Sequence, residues 1–249
     1  MGYYEGVEAA LAADIVERLG ELVRDRRWER SSAAEIAAAA LRDLIMEGAL
    51  PPGTRVSEEV FMAPLEVSRN TLREAFRLLT HEKLLEHKLN RGVFVRTLAT
   101  ADVVDLFLVR RVVECASLHL ADEVGTARML AAVESGEAAA GEGRWVDVGT
   151  ANIRFHQAIA ALSGSPRIDE LMRQVAAELR LAFHEMGDPR AFHEDYLRRN
   201  REIVDHLVAG EVAAAQELLT AYLRASEAEM LAAFAARERG EIPASKPGA

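Results

Sequence analysis

The chain has few of the residues that build covalent or membrane-anchored structures. Its 249 residues include one cysteine, Cys115, so no internal disulfide can form and a reducing cytoplasm is the simplest setting. In the context Val112-Val113-Glu114-Cys115-Ala116 that thiol reads as a small core residue, not a reactive group. No run of 18 apolar residues occurs, and the N-terminus lacks a basic flank followed by an apolar stretch, so neither a membrane span nor a secretory leader is expected. There is no Gly-rich phosphate loop, no HExxH pair and no Ser–His pairing with a third member, which leaves an enzyme without its parts. Positive charge is short as well. Thirty Lys and Arg against 40 Asp and Glu give a net charge of −10, the wrong sign for unspecific adhesion to nucleic acid.

What is present is half hydrophobic, enough to bury the cores of two domains. The acid is unevenly spread. Residues 33–97 carry nine basic and nine acidic side chains and are neutral, whereas residues 98–249 carry a net −8. Within the neutral segment, SRNTLREAFRLL over Ser68–Leu79 sets the organisation. Ser68 suits an N-cap. Leu72, Ala75, Phe76 and Leu79 recur at i, i+3, i+4 and i+7 and form one apolar stripe. Arg69, Arg73 and Arg77 fall within an arc of about 80° on another side, with Asn70 beside them. Such a helix offers guanidinium and amide groups near its positive end, where they suit phosphates and base edges of a major groove.

The flanking residues extend this pattern. Ser57-Glu58-Glu59 opens a shorter helix that Pro64 must end, and Leu65-Glu66-Val67 is a tight turn into Ser68, which makes a helix-turn-helix. Upstream, Ser32–Glu47 reads as a helix with a Ser32/Glu35 capping box, a core face of Ile36, Ala40, Leu44 and Ile45, and a stop at Gly48. Downstream, residues 84–88 and 93–96 are strand candidates around Leu89-Asn90-Arg91-Gly92, a wing. Residues 1–31 form an extension with an amphipathic helix over Glu8–Arg26. From Thr100 to Ala236 the pattern is helical throughout. Six stretches are expected, near 101–124, 127–140, 145–162, 167–185, 194–209 and 212–236, with breaks at glycines including Gly125. The tail from residue 238 has no core-forming pattern and reads as disordered. The expected class is mainly α: a winged helix-turn-helix over 32–98 and an antiparallel bundle of six to seven helices over 99–237.

The segments Leu50-Pro-Pro-Gly-Thr-Arg, Val67-Ser-Arg-Asn-Thr-Leu-Arg-Glu-Ala and Arg91-Gly-Val-Phe-Val resemble the DNA-binding domain of the GntR family of bacterial transcription regulators. The resemblance implies that Ser68, Arg69, Asn70, Thr71 and Arg73 read the groove, and that Asn90, Arg91 and Gly92 meet the adjacent backbone or minor groove. Two departures stand in the turn: Glu66 replaces the usual glycine, and Pro64 a helix-compatible residue. Residues 100–236 resemble the FCD effector domain, on Leu108-Val109-Arg110 with Glu114, on Asn152-Ile-Arg-Phe-His156, and on Asn200-Arg-Glu-Ile-Val with Tyr222-Leu.

Many FCD domains hold a divalent metal with one Asp and three His. At the matching positions stand Asn152, His156, Asn200 and Tyr222, so a single ligand is retained and neither tight metal binding nor any other cofactor is expected. His81, His184, His193 and His206 read as solvated or capping histidines. The polar residues that remain, with Arg110, suggest an effector site for a small carboxylate, because a guanidinium fork can hold two oxygens. Pairing of Arg110 with Glu114 at i+4 is the competing reading. The whole is read as a cytoplasmic, homodimeric repressor of a palindromic operator, without membrane contact. A dimerisation scaffold that has lost its effector is the alternative, and a helical-bundle enzyme a more distant one.

Overall fold

The structure, a computed structural model, describes residues 32–183, 186 and 189–239. The extension expected over 1–31, the tail from 240 onward and His184 lie outside the described residues. The chain divides between Thr97 and Leu98 into two compact units.

In the first unit, helix α1 (Ala33–Glu47) begins as its sequence requires. Glu35 N donates to Ser32 Oγ at 3.2 Å and Ser32 N donates to Glu35 Oε2 at 2.7 Å, a reciprocal cap. Gly48, at φ 85°, ends it. Ala37, Ala40, Leu41, Leu44 and Ile45 are buried. Ile36 is only half-buried, because it lies in the first turn at the edge of the core. The next element was not foreseen. Strand β1 is two residues long, Arg55–Val56, too short to show alternation.

Helix α2 (Glu58–Phe61) stops before Pro64 and buries Phe61. The turn that follows places Glu66 at φ 54°, in the left-handed region, which costs a residue with a Cβ about 1–2 kcal/mol. Glu66→Gly is therefore expected to raise the unfolding free energy by roughly 0.5–1 kcal/mol, after allowing for the looser unfolded chain. Urea titration at unchanged m-value reads this directly; no gain would mean that the turn is unstrained.

Helix α3 (Arg69–His81) is capped by Ser68, whose Oγ accepts from Thr71 N at 3.2 Å. Leu72, Ala75, Phe76 and Leu79 are all buried, as the spacing predicts. Arg42 of α1 holds Glu82, just past α3, with two hydrogen bonds of 2.7 and 2.6 Å. Strands β2 (Leu85–Lys88) and β3 (Gly92–Val95) pair antiparallel, and β1 adds to the free side of β3, giving the order β1-β3-β2. Arg55 stands opposite Phe94 and Val56 opposite Val93. At the hairpin tip Asn90 has φ 58° and Gly92 φ 105°, the left-handed geometry of a tight connection. Beyond β3, Arg96 N donates to Leu84 O at 2.9 Å.

The described residues of the second unit form six helices: α4 (Thr100–Leu118), α5 (Glu123–Gly141), α6 (Trp145–Ala161), α7 (Pro166–Phe183), α8 (Pro189–Val208) and α9 (Val212–Glu238). Ala99 N, just before α4, donates to Asp102 Oδ2 at 2.8 Å. Phe107, Met129, Phe155, Ile159, Leu219 and Leu223 lie in the core. The first break falls earlier than expected. Helix α4 ends at Leu118 and Asp122 caps α5, its Oδ1 accepting from Gly125 N at 2.7 Å. Gly125 is thus inside a helix, where its bare backbone lets Leu162 approach. A Cβ there would stand 2.1 Å from Leu162 Cδ2. No described helix is long and apolar enough to cross a membrane.

Candidate functional site

The positive end of α3 is open to solvent. Arg69 and Arg73 keep 58% and 61% of their side-chain surface exposed, and Ser68 and Asn70 are exposed too. Ser68 and Thr71 share a hydroxyl–hydroxyl bond of 2.7 Å, so part of their capacity serves the cap. One acid organises the two arginines. Glu58 of α2 accepts from Arg73 Nε through Oε1 at 2.6 Å, and its Oε2 stands 3.3 Å from Arg69 Nε. Arg77 is held differently, by Glu74 of its own helix at 3.0 and 3.1 Å.

At the wing Asn90 and Arg91 are exposed, and the Arg91 guanidinium lies 5.7 Å from the centre of the Phe94 ring. Gly92 has a use beyond its turn geometry: Arg55 Nε lies 3.5 Å from where a Cβ on Gly92 would stand. Arg55, Arg69, His87 and Gly92 line one open cleft of about 360 Å3, whose acids are Glu58 and Glu59. Sequence reasoning passed over Arg55 because its strand was invisible, although it ends the Pro-Pro-Gly-Thr-Arg motif. Arg55→Gln is expected to lower affinity for specific and unrelated DNA alike and to reduce the salt slope of log K by about 0.9, the loss of one phosphate contact. Anisotropy titrations at several salt concentrations measure both; an unchanged slope would exclude the contact.

The bundle interior joins all five expected effector residues in one buried chain of hydrogen bonds. Arg110, Asn152, His156, Asn200 and Tyr222 are each at most 7% exposed. Arg110 Nε donates to Glu114 Oε1 at 2.8 Å, so the expected i+4 pair is present. Glu114 Oε2 lies 2.6 Å from His156 Nδ1, which makes that nitrogen the protonated one. The Tyr222 hydroxyl stands 3.0 Å from both His156 Nε2 and Asn152 Oδ1, and Asn200 Nδ2 donates to Asn152 Oδ1 at 2.7 Å. Two atoms are left over: Arg110 Nη2 and Asn200 Oδ1 are buried without a partner. Burial alone would push the Glu114 carboxyl up, but Arg110 and His156 hold it below its ordinary value. Burial drives His156 down, and the Arg110 charge adds to that against the pull of Glu114. The imidazole is therefore neutral at pH 7. Glu114, the hub of the chain, entered the sequence reading only as a partner of Arg110.

Beside this chain lies a cavity of about 20 Å3, lined by Arg110, Glu114, Asn152 and His156 and by Val175, Leu179 and Phe183 of α7. That exceeds the ~10–15 Å3 one water needs. The residues do not fit a metal. Asn152 and Asn200 offer neutral amides already bonded to one another, and burial raises Tyr222 further from the phenolate that would ligate. Among the described residues no group of three or more His, Cys, Asp and Glu is placed to hold an ion.

His193 departs from expectation. It is buried, not solvated, with Nδ1 unpartnered and its ring edge-on to Phe183. Gly149 makes room for it, since a Cβ there would lie 2.7 Å from His193 Nε2 and 2.6 Å from Arg180 Nη1. Burial first, and then the Arg180 charge, lower the imidazole from 6.5 to about 4. A base depressed in the folded state binds its proton more readily when unfolded, so its contribution is intact above pH 6.5 and lost as pH falls toward 4. By pH 5 the loss is about 2 kcal/mol. His193→Phe is expected to shrink the fall in Tm between pH 7 and pH 5; an unchanged fall would place the acid sensitivity elsewhere. His206, by contrast, is half-buried and pairs with Glu211 just before α9.

Comparison with known proteins agrees with this division. Residues 33–95 match the model for bacterial regulatory proteins of the gntR family, and residues 105–225 match the FCD domain. The chain is 31% identical over 163 residues to the Nta operon transcriptional regulator of Aminobacter aminovorans, spanning 62% of this chain and 75% of that protein. It is 34% identical over 95 residues to the gluconate operon transcriptional repressor of Bacillus licheniformis, 37% of this chain and 38% of that one. Among solved structures, a GntR transcriptional regulator from Rhodococcus sp. RHA1 is 46% identical with a TM-score of 0.79, over 81% of this chain and 99% of that one. A winged reading head and a helical bundle, each matched to its own model, lead to one conclusion: the chain belongs to the GntR family of bacterial transcription regulators, in the branch that carries an FCD effector domain.

Proposed function

We propose that this regulator is a repressor that grips a palindromic operator as a homodimer and lets go when a small carboxylate enters the α4–α9 bundle without a metal. Two reading heads related by a twofold axis would meet half-sites about one helical turn apart, with Arg69, Asn70 and Arg73 toward the bases and Asn90, Arg91 and Gly92 toward the adjacent backbone. The repressor sense is supported by the name of the gluconate operon relative. A DNA partner sets the protein in the cytoplasm.

The observation that carries the effector half is Arg110. It lines the cavity, its Nε is held by Glu114, and its Nη2 is buried with nothing to bond. A buried charged donor left open is costly, and a carboxylate oxygen would satisfy it. The cavity as it stands has space for water only, so a metabolite must displace α7, the helix that supplies its apolar wall. Calorimetry with acetate, lactate, succinate and citrate, each with and without a chelator, tests the reading. Binding by at least one of them that survives the chelator is expected, together with loss of operator binding and a raised Tm. Binding that requires zinc would overturn it. If none of them binds while the protein still holds DNA as a dimer, the bundle is a dimerisation scaffold.

A further inference from the structure

We propose that Glu58 is a positioning residue for base reading: a single carboxylate that aims two arginines and so trades general DNA affinity for selectivity. The inference rests on Arg69 and Arg73 as the base readers. Glu58 lies in the four-residue helix α2, before the turn, and its oxygens divide between the two side chains, 2.6 Å to Arg73 Nε and 3.3 Å to Arg69 Nε. The arginines are four residues apart, on one face of α3. Glu58 itself is 25% exposed, against 58% and 61% for the arginines, so the acid lies beneath and the guanidiniums above.

The atom used is the informative part. Guanine is recognised by an arginine fork that reaches O6 and N7 together. Glu58 engages Nε, the donor closest to the main chain, in both arginines, and its hydrogen bond to Arg73 is made through that atom and not through the terminal nitrogens. Arg77 is the contrast: Glu74 takes both Nε and Nη2, so its fork is used up within its own helix. A long side chain held in one orientation loses less freedom when it binds. The same carboxylate places a negative charge beneath the surface that meets phosphates. Its two effects therefore have opposite signs: it favours correctly placed guanines and disfavours arbitrary DNA.

The test uses the full-length protein, an operator duplex selected with the unaltered protein, and a scrambled duplex of equal length. For Glu58→Gln we expect two- to fivefold tighter binding to scrambled DNA, weaker binding to the operator, and at least a tenfold fall in their ratio. Glu58→Asp keeps the charge but shortens the reach, and should lower the ratio without tightening scrambled binding. In the Arg69→Ala/Arg73→Ala background, Glu58→Gln should leave the ratio unmoved, which a merely structural role for Glu58 would not produce. Equal tightening on both duplexes would overturn the proposal and make Glu58 a simple competitor for the arginines. Arg69→Ala and Arg73→Ala alone, in the same assay, report separately whether those residues read bases at all.

Discussion

Arg69→Ala and Arg73→Ala are each expected to lower affinity for the operator by about 1–3 kcal/mol, the discrimination a good arginine–guanine pair supplies, while changing binding to unrelated DNA far less. The expectation follows from position. Both side chains leave the first turns of α3, are more than half exposed, and stand apart from the buried Leu72–Ala75–Phe76–Leu79 stripe that seats the helix. They can be removed without disturbing the core, so a loss of operator binding cannot be assigned to unfolding. A gel shift against operator and scrambled duplexes measures both effects. If neither substitution weakens operator binding, the reading face lies elsewhere in the winged module.

Glu114→Ala is the second large effect, and it concerns stability. Glu114 is fully buried and its two oxygens serve Arg110 and His156. Its removal strands a buried guanidinium that already has one unbonded nitrogen, and breaking a buried pair from one side costs about 3–5 kcal/mol. The same pair gives the pH dependence its sign. Because the folded state holds the Glu114 carboxyl below its ordinary value, its contribution is present above the usual carboxylate range and is lost as pH falls through the lower, folded value. Removing both charges is a different experiment. Arg110→Met with Glu114→Leu should fold with near-normal stability, since apolar pairs often replace buried ion pairs without loss, yet should abolish any response to a carboxylate. Chemical denaturation of the single and double variants decides this; a single variant as stable as the parent would show that the pair is not needed in the core.

Residues with a strong local signal were legible in the sequence. Ser32 with Glu35, Ser68 with its four-residue apolar stripe, and the Asn90–Gly92 tip each carry their instruction within a few positions, and the structure places each as read. What could not be read depends on distant partners. Strand β1 exists because β3 offers it a free edge, and nothing in two residues announces that. Gly125 looked like a helix break because glycine is the commonest one; its reason is Leu162, 37 positions away. His193 looked like a solvated histidine until α6 and α7 brought Gly149 and Arg180 against it. The bundle interior falls between these cases. The residues could be named by resemblance, but the order in which they bond, with Glu114 at the hub and one tyrosine hydrogen facing two acceptors, appears only in three dimensions.

The join between the winged module and the bundle is short of slack. Residues 96–99 connect β3 to α4, and they are fastened at both ends, Arg96 to the sheet through Leu84 and Ala99 to Asp102 at the start of α4. The helix that leaves this join is the one that bears Arg110 and Glu114. Of the chain between β3 and α4, only the peptides between those two hydrogen bonds are left to bend. Under the proposed function, splicing a few glycines in after Thr97 should leave operator and carboxylate binding each intact while weakening the release of one by the other.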